Sequence, residues 1–268
     1  MKRFRALLLA LALAGGLGAQ ARLLVEVIDR KTGVAITNLK AADFNVLDDK
    51  TPRRVQAAAY GATKLDVMLL VDTSLVGEMA RPLGEAFIGG LEPKEQMAIV
   101  SFASAADLIQ DFTSSQELLR RAVRGVKYGN SPHVVDAVYA AADGGFQSTV
   151  GRKVIVILSA GVEGYSRTSE RDALRLARQN QISIFPVYVV GAERGLFERL
   201  ARDSGGAYFS ARDLKLSPAQ LAGRVYAALR GRYTLTLAGN QTLGEKLKVE
   251  VSGGDQGQKL WASGLPVE

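Results

Sequence analysis

The stretch DVMLLVDTSLV, residues 66–76, decides the fold of this chain. Its portion 67–71 is apolar without a break, which is typical of a strand buried on both faces of a parallel sheet. Asp72, Thr73 and Ser74 follow at once, and the carboxyl end of such a strand is where open α/β sheets bind their ligands. The stretch therefore predicts a central parallel strand that ends in a candidate functional loop.

Strands and helices alternate on the carboxyl side of this stretch, up to about residue 230. Further buried or β-branched strand segments lie at residues 96–102, 154–158 and 182–190, with a short segment at 108–112. Helical spacing, serine caps and early prolines predict helices at residues 78–88, 115–126, 134–142, 169–180, 196–203 and 217–230. This alternation predicts an α/β fold with a doubly wound, mostly parallel sheet.

The two ends of the chain have a different pattern. Residues 22–62 and 232–268 contain short β-rich segments that alternate apolar with polar residues and are separated by turn residues. We predict that these two segments meet as one small β module. This module would flank an α/β domain at residues 63–231.

The first 21 residues have the three-part pattern of a secretory signal peptide. Three basic residues at positions 2–5 precede an apolar run at residues 6–14, and an Ala-Gln-Ala cleavage pattern ends at Ala21. The run is shorter than the roughly 20 residues that span a bilayer, so we expect no membrane span after cleavage. The pattern predicts export, either to the periplasm or to the medium.

Composition excludes several classes of site. The 268 residues include no cysteine and one histidine, which excludes disulfides, thiolate nucleophiles and sites built on several histidines. The net charge of +7 falls to +4 when the three basic residues at positions 2–5 are removed, because 34 Lys and Arg become 31 against 27 Asp and Glu. That balance, together with export, argues against a nucleic-acid partner.

Five segments, in order, resemble the von Willebrand factor type A (VWA) domain. They are residues 67–74, 96–102, 129–137, 154–161 and 200–209. The flanking segments, including Asp43-Phe44 and Tyr233, are similar to those of exported bacterial proteins of this type. The resemblance covers roughly residues 64–230, and it implies the VWA fold, a metal-ion-dependent adhesion site and protein binding rather than catalysis.

The metal site departs from the pattern of the family, in which the first motif is Asp-x-Ser-x-Ser. Residues 72–76 end this motif in Val76, and Pro132 stands at the family's threonine position, four residues before Asp136. Ser159 begins Ser-Ala-Gly where the family has its second aspartate. Three of the five ligand positions are therefore lost or displaced, which is the pattern of a degenerate site.

Three oxygen-bearing residues remain as candidate ligands: Asp72, Ser74 and Ser131. One carboxylate with two hydroxyls is a poor cage for Mg²⁺, which demands near-octahedral oxygen geometry. We therefore expect no cofactor, with weak Mg²⁺ binding as the alternative. Without a metal, Asp72 and Ser74 are expected to accept hydrogen bonds from nearby backbone N–H groups.

Apolar and aromatic residues surround this degenerate site in the sequence. They are Leu75, Val76, Tyr128, His133, Val162 and Tyr165. Where the loops at residues 72–78, 128–134 and 160–166 converge, these residues would form a rim of the kind that marks protein contacts. The alternative is that Leu75 and Val76 pack under their own loop.

Enzyme motifs are missing from the chain. No Gly-x-Ser-x-Gly elbow accompanies His133, and no phosphate-binding Gly-x-x-x-x-Gly-Lys-Ser/Thr is present. We predict an exported, non-catalytic, metal-independent VWA module that binds an unidentified protein at or outside the cell envelope. The alternative is a Mg²⁺-dependent adhesion module, and a remote alternative is a hydrolase with an unrecognised site.

Overall fold

The structure is a computed structural model that describes residues 20–239, 242–244, 246–255 and 257–267. Its strands are β1 (Arg22–Asp29), β2 (Phe44–Asp48), β3 (Thr51–Arg53), β4 (Val55–Ala62), β5 (Leu65–Asp72), β6 (Gln96–Phe102), β7 (Ala106–Thr113), β8 (Arg152–Ser159), β9 (Ser183–Tyr188), β10 (Phe209–Ser210), β11 (Gly231–Leu237), β12 (Leu247–Val251) and β13 (Leu260–Val267). Its α-helices are α1 (Arg81–Gly89), α2 (Gln116–Arg124), α3 (Val134–Ala142), α4 (Glu170–Gln179), α5 (Arg194–Asp203), α6 (Ala211–Leu214) and α7 (Pro218–Arg230).

Six strands form the central sheet, in the order β10-β9-β8-β5-β6-β7. All pairings are parallel except that of β6 with β7, which is a hairpin. Every residue of β5 is buried, because helices cover both faces of the sheet. Helix α1 packs against α2 and α7, and helix α4 packs against α3 and α5. The predicted doubly wound, mostly parallel α/β fold is confirmed.

The terminal segments add two antiparallel sheets. One has the order β13-β1-β11-β4 and the other the order β12-β2-β3, so each sheet combines strands from both ends of the chain. Tyr233 of β11 lies at their shared core: its hydroxyl donates to the carbonyl of Ile36 (2.9 Å) and accepts from the N–H of Leu39 (3.0 Å). The prediction that the two β-rich ends pair with each other is confirmed.

A polar seam joins these antiparallel sheets to the α/β part. We use "the seam" for Glu26, Arg152, Gly206, Trp261 and Ser263. The buried carboxylate of Glu26 pairs with the buried guanidinium of Arg152, which lies at the start of β8. The indole N–H of Trp261 (3.0 Å) and the hydroxyl of Ser263 (2.6 Å) both donate to the carbonyl of Gly206. Buried groups that find their partners across the seam tie the two parts together.

No helix in the described part of the chain is long and apolar enough to cross a bilayer. The predicted signal peptide, residues 1–21, lies almost entirely outside the described residues, which start at Gln20. Export therefore stays a prediction.

Candidate functional site

Four loops meet at the carboxyl edge of the central sheet. They comprise residues 72–80, 128–134, 159–166 and 188–193, and we call this region the carboxyl edge. Backbone hydrogen bonds connect them: the N–H of Gly129 donates to the carbonyl of Thr73 (2.8 Å), and the N–H of Val190 donates to that of Ala160 (2.9 Å). The three loops singled out from the sequence thus lie together, as parallel strands require.

The carboxylate of Asp72 lies at the centre of this edge and is fully buried. Its Oδ1 accepts from the N–H of Ser74 (3.0 Å). Its Oδ2 accepts from the hydroxyl of Ser159 (2.8 Å) and from the N–H of Ala160 (3.2 Å). Both oxygens are therefore engaged by donors from the protein itself, and one carboxylate links the ends of β5 and β8.

Ser159 is the residue that makes this link. In the sequence it stands where the VWA pattern has a second aspartate. Two carboxylates at this separation would repel each other without a cation between them. A serine hydroxyl instead donates to Asp72 and accepts from the N–H of Gly161 (2.9 Å).

Ser74 is also fully buried and also has a partner. Its hydroxyl oxygen accepts from the N–H of Gly77 (3.2 Å). The backbone of Gly77 lies so close to Asp72 that a Cβ added there would be 2.4 Å from Oδ1. Asp72 and Ser74 thus accept hydrogen bonds from backbone N–H groups of the loop that follows β5.

Ser131, the third candidate ligand, is exposed and lies against the loop after β8. A Cβ added at Gly164 would be 2.4 Å from its hydroxyl oxygen. The structure gives it no hydrogen bond to Asp72 or Ser74 among the described residues.

Two other carboxylates fasten the loop at residues 159–166 to helix α3. Glu163 accepts from the N–H of Val134 (2.7 Å) and from that of Ser166 (3.2 Å), and burial raises its pKa against these hydrogen bonds. Asp136 accepts from the N–H groups of Arg167 and Thr168, which lower its pKa despite the opposing effect of burial. His133 lies beside it, with Nδ1 3.7 Å from Oδ2 of Asp136.

The predicted rim divides into exposed and half-buried side chains. Leu75, Val76 and Tyr165 are 74%, 42% and 97% exposed, whereas Tyr128, His133 and Val162 are half-buried. Two further apolar side chains of these loops, Met79 (54%) and Val190 (44%), are exposed as well. Leu75 does not pack under its own loop. The carboxyl edge therefore carries an exposed apolar surface around a buried polar centre.

A cavity of about 760 Å³ opens beside this surface, between the β6–β7 hairpin and the segment that leads to α3. Thr73 and Tyr128 line it. The hydroxyl of Tyr128 is buried and has no hydrogen-bond partner among the described residues, and burial raises its pKa.

Comparison with known proteins identifies the family. The sequence pattern of the von Willebrand factor type A domain matches residues 66–222, more than half of the chain. The chain belongs to the VWA domain family. No curated protein sequence matches it significantly.

Solved structures confirm the VWA fold. Proximal thread matrix protein 1 from the mussel byssus, solved with zinc in its metal-ion-dependent adhesion site (MIDAS) motif, superposes with a TM-score of 0.56 at 16% sequence identity. The superposition covers 68% of this chain and 50% of that protein. An aerotolerance-related membrane protein from Bacteroides fragilis NCTC 9343 superposes with a TM-score of 0.50 at 12% identity, covering 62% of this chain and 98% of that one. The chain thus spans about half the length of the mussel protein.

Sequence reasoning missed three features of the site. It treated Ser159 only as a lost ligand, although its hydroxyl is the main partner of Asp72. It also missed Met79 and Val190, which the fold brings to the same edge as Leu75. The position of Val190 after strand β9 could have predicted its place at this edge, because every loop that follows a parallel strand reaches it.

Proposed function

We propose that this VWA domain is a non-catalytic binding module that contacts a partner protein through the exposed apolar side chains of the carboxyl edge. The observation that carries the proposal is the exposure of Leu75, Met79 and Tyr165 in loops that meet around one buried centre. Clustered apolar and aromatic side chains are characteristic of protein contacts. Domains of this family typically bind proteins and are usually not catalytic.

We further propose that binding needs no divalent metal. Both oxygens of Asp72 accept hydrogen bonds from within the protein, and the hydroxyl of Ser74 accepts one from Gly77. Among the described residues, no group of three or more acidic or histidine side chains could hold a metal ion. A cation would have to displace donors that already satisfy the carboxylate, and Mg²⁺ is reluctant to dehydrate.

A second candidate is a metal-dependent adhesion module that uses Asp72, Ser74 and Ser131. The related mussel protein carries zinc at its MIDAS motif, which favours testing this candidate directly. Calorimetric titration with Mg²⁺, Mn²⁺ and Zn²⁺ decides between the two candidates, with Asp72→Ala as the control. Metal-independent binding predicts no heat attributable to the site, whereas submillimolar binding that is lost in Asp72→Ala would establish the second candidate.

Partner capture tests the binding surface. The wild-type protein is immobilised in EDTA and exposed to an envelope extract of the producing cells. The rim variant is Leu75→Asp/Tyr165→Ala, and the control is Val150→Asp, because Val150 is 91% exposed and lies before β8, away from the carboxyl edge. We expect wild type and control to retain the same protein and the rim variant to lose it. Equal capture by the wild type and both variants, or capture only with added Mg²⁺, would contradict the proposal.

We propose that the protein is exported and that its N-terminal 21 residues are removed. The support is the basic, apolar and small-residue pattern of that segment. N-terminal sequencing of the protein recovered from cell fractions tests this directly. A mature start at Arg22 in the periplasm or medium is expected, and an uncleaved cytoplasmic chain would contradict export.

A further inference from the structure

A second site lies where the antiparallel sheets meet the α/β part, and we infer that it is a pocket for an oxyanion, a phosphate or carboxylate group on a ligand of about monosaccharide size. We call it the basic pocket. Its charged lining consists of Arg30, Lys31, Arg194, Lys259 and Asp213. Four cations thus face one acid in a cavity of about 270 Å³.

Two guanidiniums in the basic pocket are held side by side by shared partners. Arg30 donates to the hydroxyl of Tyr208 from Nη2 (2.7 Å) and Nε (3.1 Å), and Arg194 donates to the same oxygen (3.3 Å). Glu198 lies 2.7 Å from Arg194 and 3.6 Å from Arg30, and Asp213 lies 3.3 Å from Nη1 of Arg194. These shared contacts fix the orientation of both guanidinium groups before any ligand binds. This lowers the entropic cost of ordering the two side chains on binding.

The two lysines add charge that nothing in the described part of the chain neutralises. The ammonium group of Lys31 donates to the carbonyl of Gly257 (3.2 Å), and Lys259 forms no ion pair among the described residues. The backbone carbonyl of Lys259 accepts from the N–H of Arg30 (2.7 Å), which keeps the two residues adjacent. With Glu198 counted beside Asp213, the four cations still exceed the acids by two.

The position and walls of the basic pocket also suit a ligand. Arg194 begins α5 after β9, and Asp213 lies in α6 directly after β10, so the pocket opens at the carboxyl ends of these strands. Buried Ile28 and Phe209 give the lining an apolar part as well. An apolar wall with a few fixed polar groups is typical of small-molecule sites, and the volume is near the lower limit of roughly 300 Å³ for such sites.

Guanidinium groups select the chemistry of the occupant. Their planar forks match the oxygens of carboxylates and phosphates, and such charge-assisted hydrogen bonds are about twice as strong as neutral ones. The side chain of Arg30 is 39% exposed and that of Arg194 48% exposed, so both remain accessible from solvent. An oxyanion would offset the excess of two positive charges that remains beside Glu198 and Asp213.

Isothermal titration calorimetry of the purified full-length chain tests this inference. The probes are glucose 6-phosphate and glucuronate, which carry the two kinds of oxyanion, and glucose is the neutral control. We expect one or both anionic probes to bind with a Kd of about 1 mM or tighter, more weakly at high salt, and glucose not to bind. The stronger of the two anionic probes identifies the oxyanion.

Three variants separate the site from general charge effects. Arg194→Gln removes one fork, and Lys31→Gln/Lys259→Gln removes only exposed charges, which protects the test against misfolding. Arg212→Gln is the matched control, since Arg212 is exposed on the same short helix as Asp213 but does not line the pocket. We expect affinity to fall roughly tenfold in the first two variants and to be unchanged in the control. Absence of binding by both anions, equal binding of glucose, or an equal loss in Arg212→Gln would overturn the inference.

Discussion

The carboxylate of Asp72 joins two strands of the central sheet through hydrogen bonds. Its carboxylate is buried, and three donors from two strand ends satisfy it. Each buried donor that loses its acceptor costs about 1–3 kcal/mol. The residue is therefore a structural link between β5 and β8.

Replacing Asp72 by alanine tests this structural role. We expect Asp72→Ala to lower the free energy of unfolding by about 3 kcal/mol, because Ser74, Ser159 and Ala160 lose their acceptor. Urea denaturation in EDTA measures the change. Asp107→Ala, at an exposed aspartate, is the control and should stay within about 0.5 kcal/mol of wild type. A variant as stable as wild type would show that the three hydrogen bonds contribute nothing.

Glu26 is the other residue whose burial has a measurable consequence. Its side chain is 2% exposed and pairs with Arg152, which is equally buried. Burial raises the pKa of Glu26 from 4.5 to about 7 in spite of the lowering effect of Arg152. Between these two values the folded state binds more protons than the unfolded state, so the contribution of Glu26 to stability falls as the pH rises through this window.

Glu26→Gln removes this titration. Relative to wild type, we expect the variant to gain stability as the pH rises from about 5 to about 8, because only the wild type must ionise a buried group. Denaturation curves at several pH values measure the difference. Glu117→Gln, at a side chain that is 81% exposed, is the control and should show no such trend. A relative loss of stability at high pH would mean that the ion pair with Arg152 prevails over burial.

At the scale of elements, Gly205 and Gly206 connect helix α5 to the seam. Gly205 has a positive φ of +73°, and a Cβ there would be 2.6 Å from that of Leu265. A Cβ on Gly206 would be 2.0 Å from the backbone oxygen of Ile184. Both glycines follow helix α5, which ends at Asp203, and they lie where β13 and β9 come too close to leave room for a side chain.

Two glycine-to-alanine variants should change stability in opposite directions. We expect Gly206→Ala to destabilise the protein by more than about 2 kcal/mol, because the backbone of β9 cannot move away from the new methyl group. Gly223 lies inside α7 with open space around it, so Gly223→Ala should stabilise the protein by about 0.5–1 kcal/mol. Thermal unfolding of both variants measures these changes. A Gly206→Ala variant as stable as the wild type would show that β9 accommodates the new methyl group.

Helix boundaries follow the local signals closely where a cap is present. Helix α4 (Glu170–Gln179) begins directly after the cap at Ser169, within the predicted residues 169–180, and α7 begins at Pro218 after the cap at Ser217, with a capping box to Gln220. The helix predicted at 78–88 instead begins as a 3-10 turn at Gly77–Ala80 and becomes α-helical at Arg81. Pro82 in its first turn marks the later start.

At the scale of the whole molecule, the seam makes the two parts depend on each other. Trp261 and Ile28 belong to the same hydrophobic core as the central sheet, and the ion pair of Glu26 with Arg152 crosses the seam. A buried charge that loses its partner is costly. The antiparallel sheets and the α/β part are therefore expected to unfold together.

Trp261 is the only tryptophan of the chain, which makes this expectation simple to test. We expect urea denaturation followed by tryptophan fluorescence at the seam to coincide with denaturation followed by far-UV circular dichroism, which reports the helices. A fluorescence transition at lower urea concentration would mean that the seam opens before the α/β part unfolds.

The sequence by itself determined the layered fold and the order of its elements. Three patterns carry this information: the unbroken apolar run of β5, the helical spacing of the α/β part and the alternation in both ends. Each is formed by residues that are close in sequence, and such local periodicity indicates directly which side chains are buried. The convergence of three loops at the carboxyl edge was also predictable, because it follows from parallel strands alone.

Only the tertiary structure decided which side chains satisfy one another. The hydroxyl of Ser159 reaches Asp72 across 87 residues of sequence, and Arg30 reaches Tyr208 across 178. Such pairings depend on register and on which loops cross, and no local pattern encodes either. For the same reason the basic pocket has no sequence motif: its four cations come from three separate segments, and only the packing of β1 and β13 beside β10 brings them together.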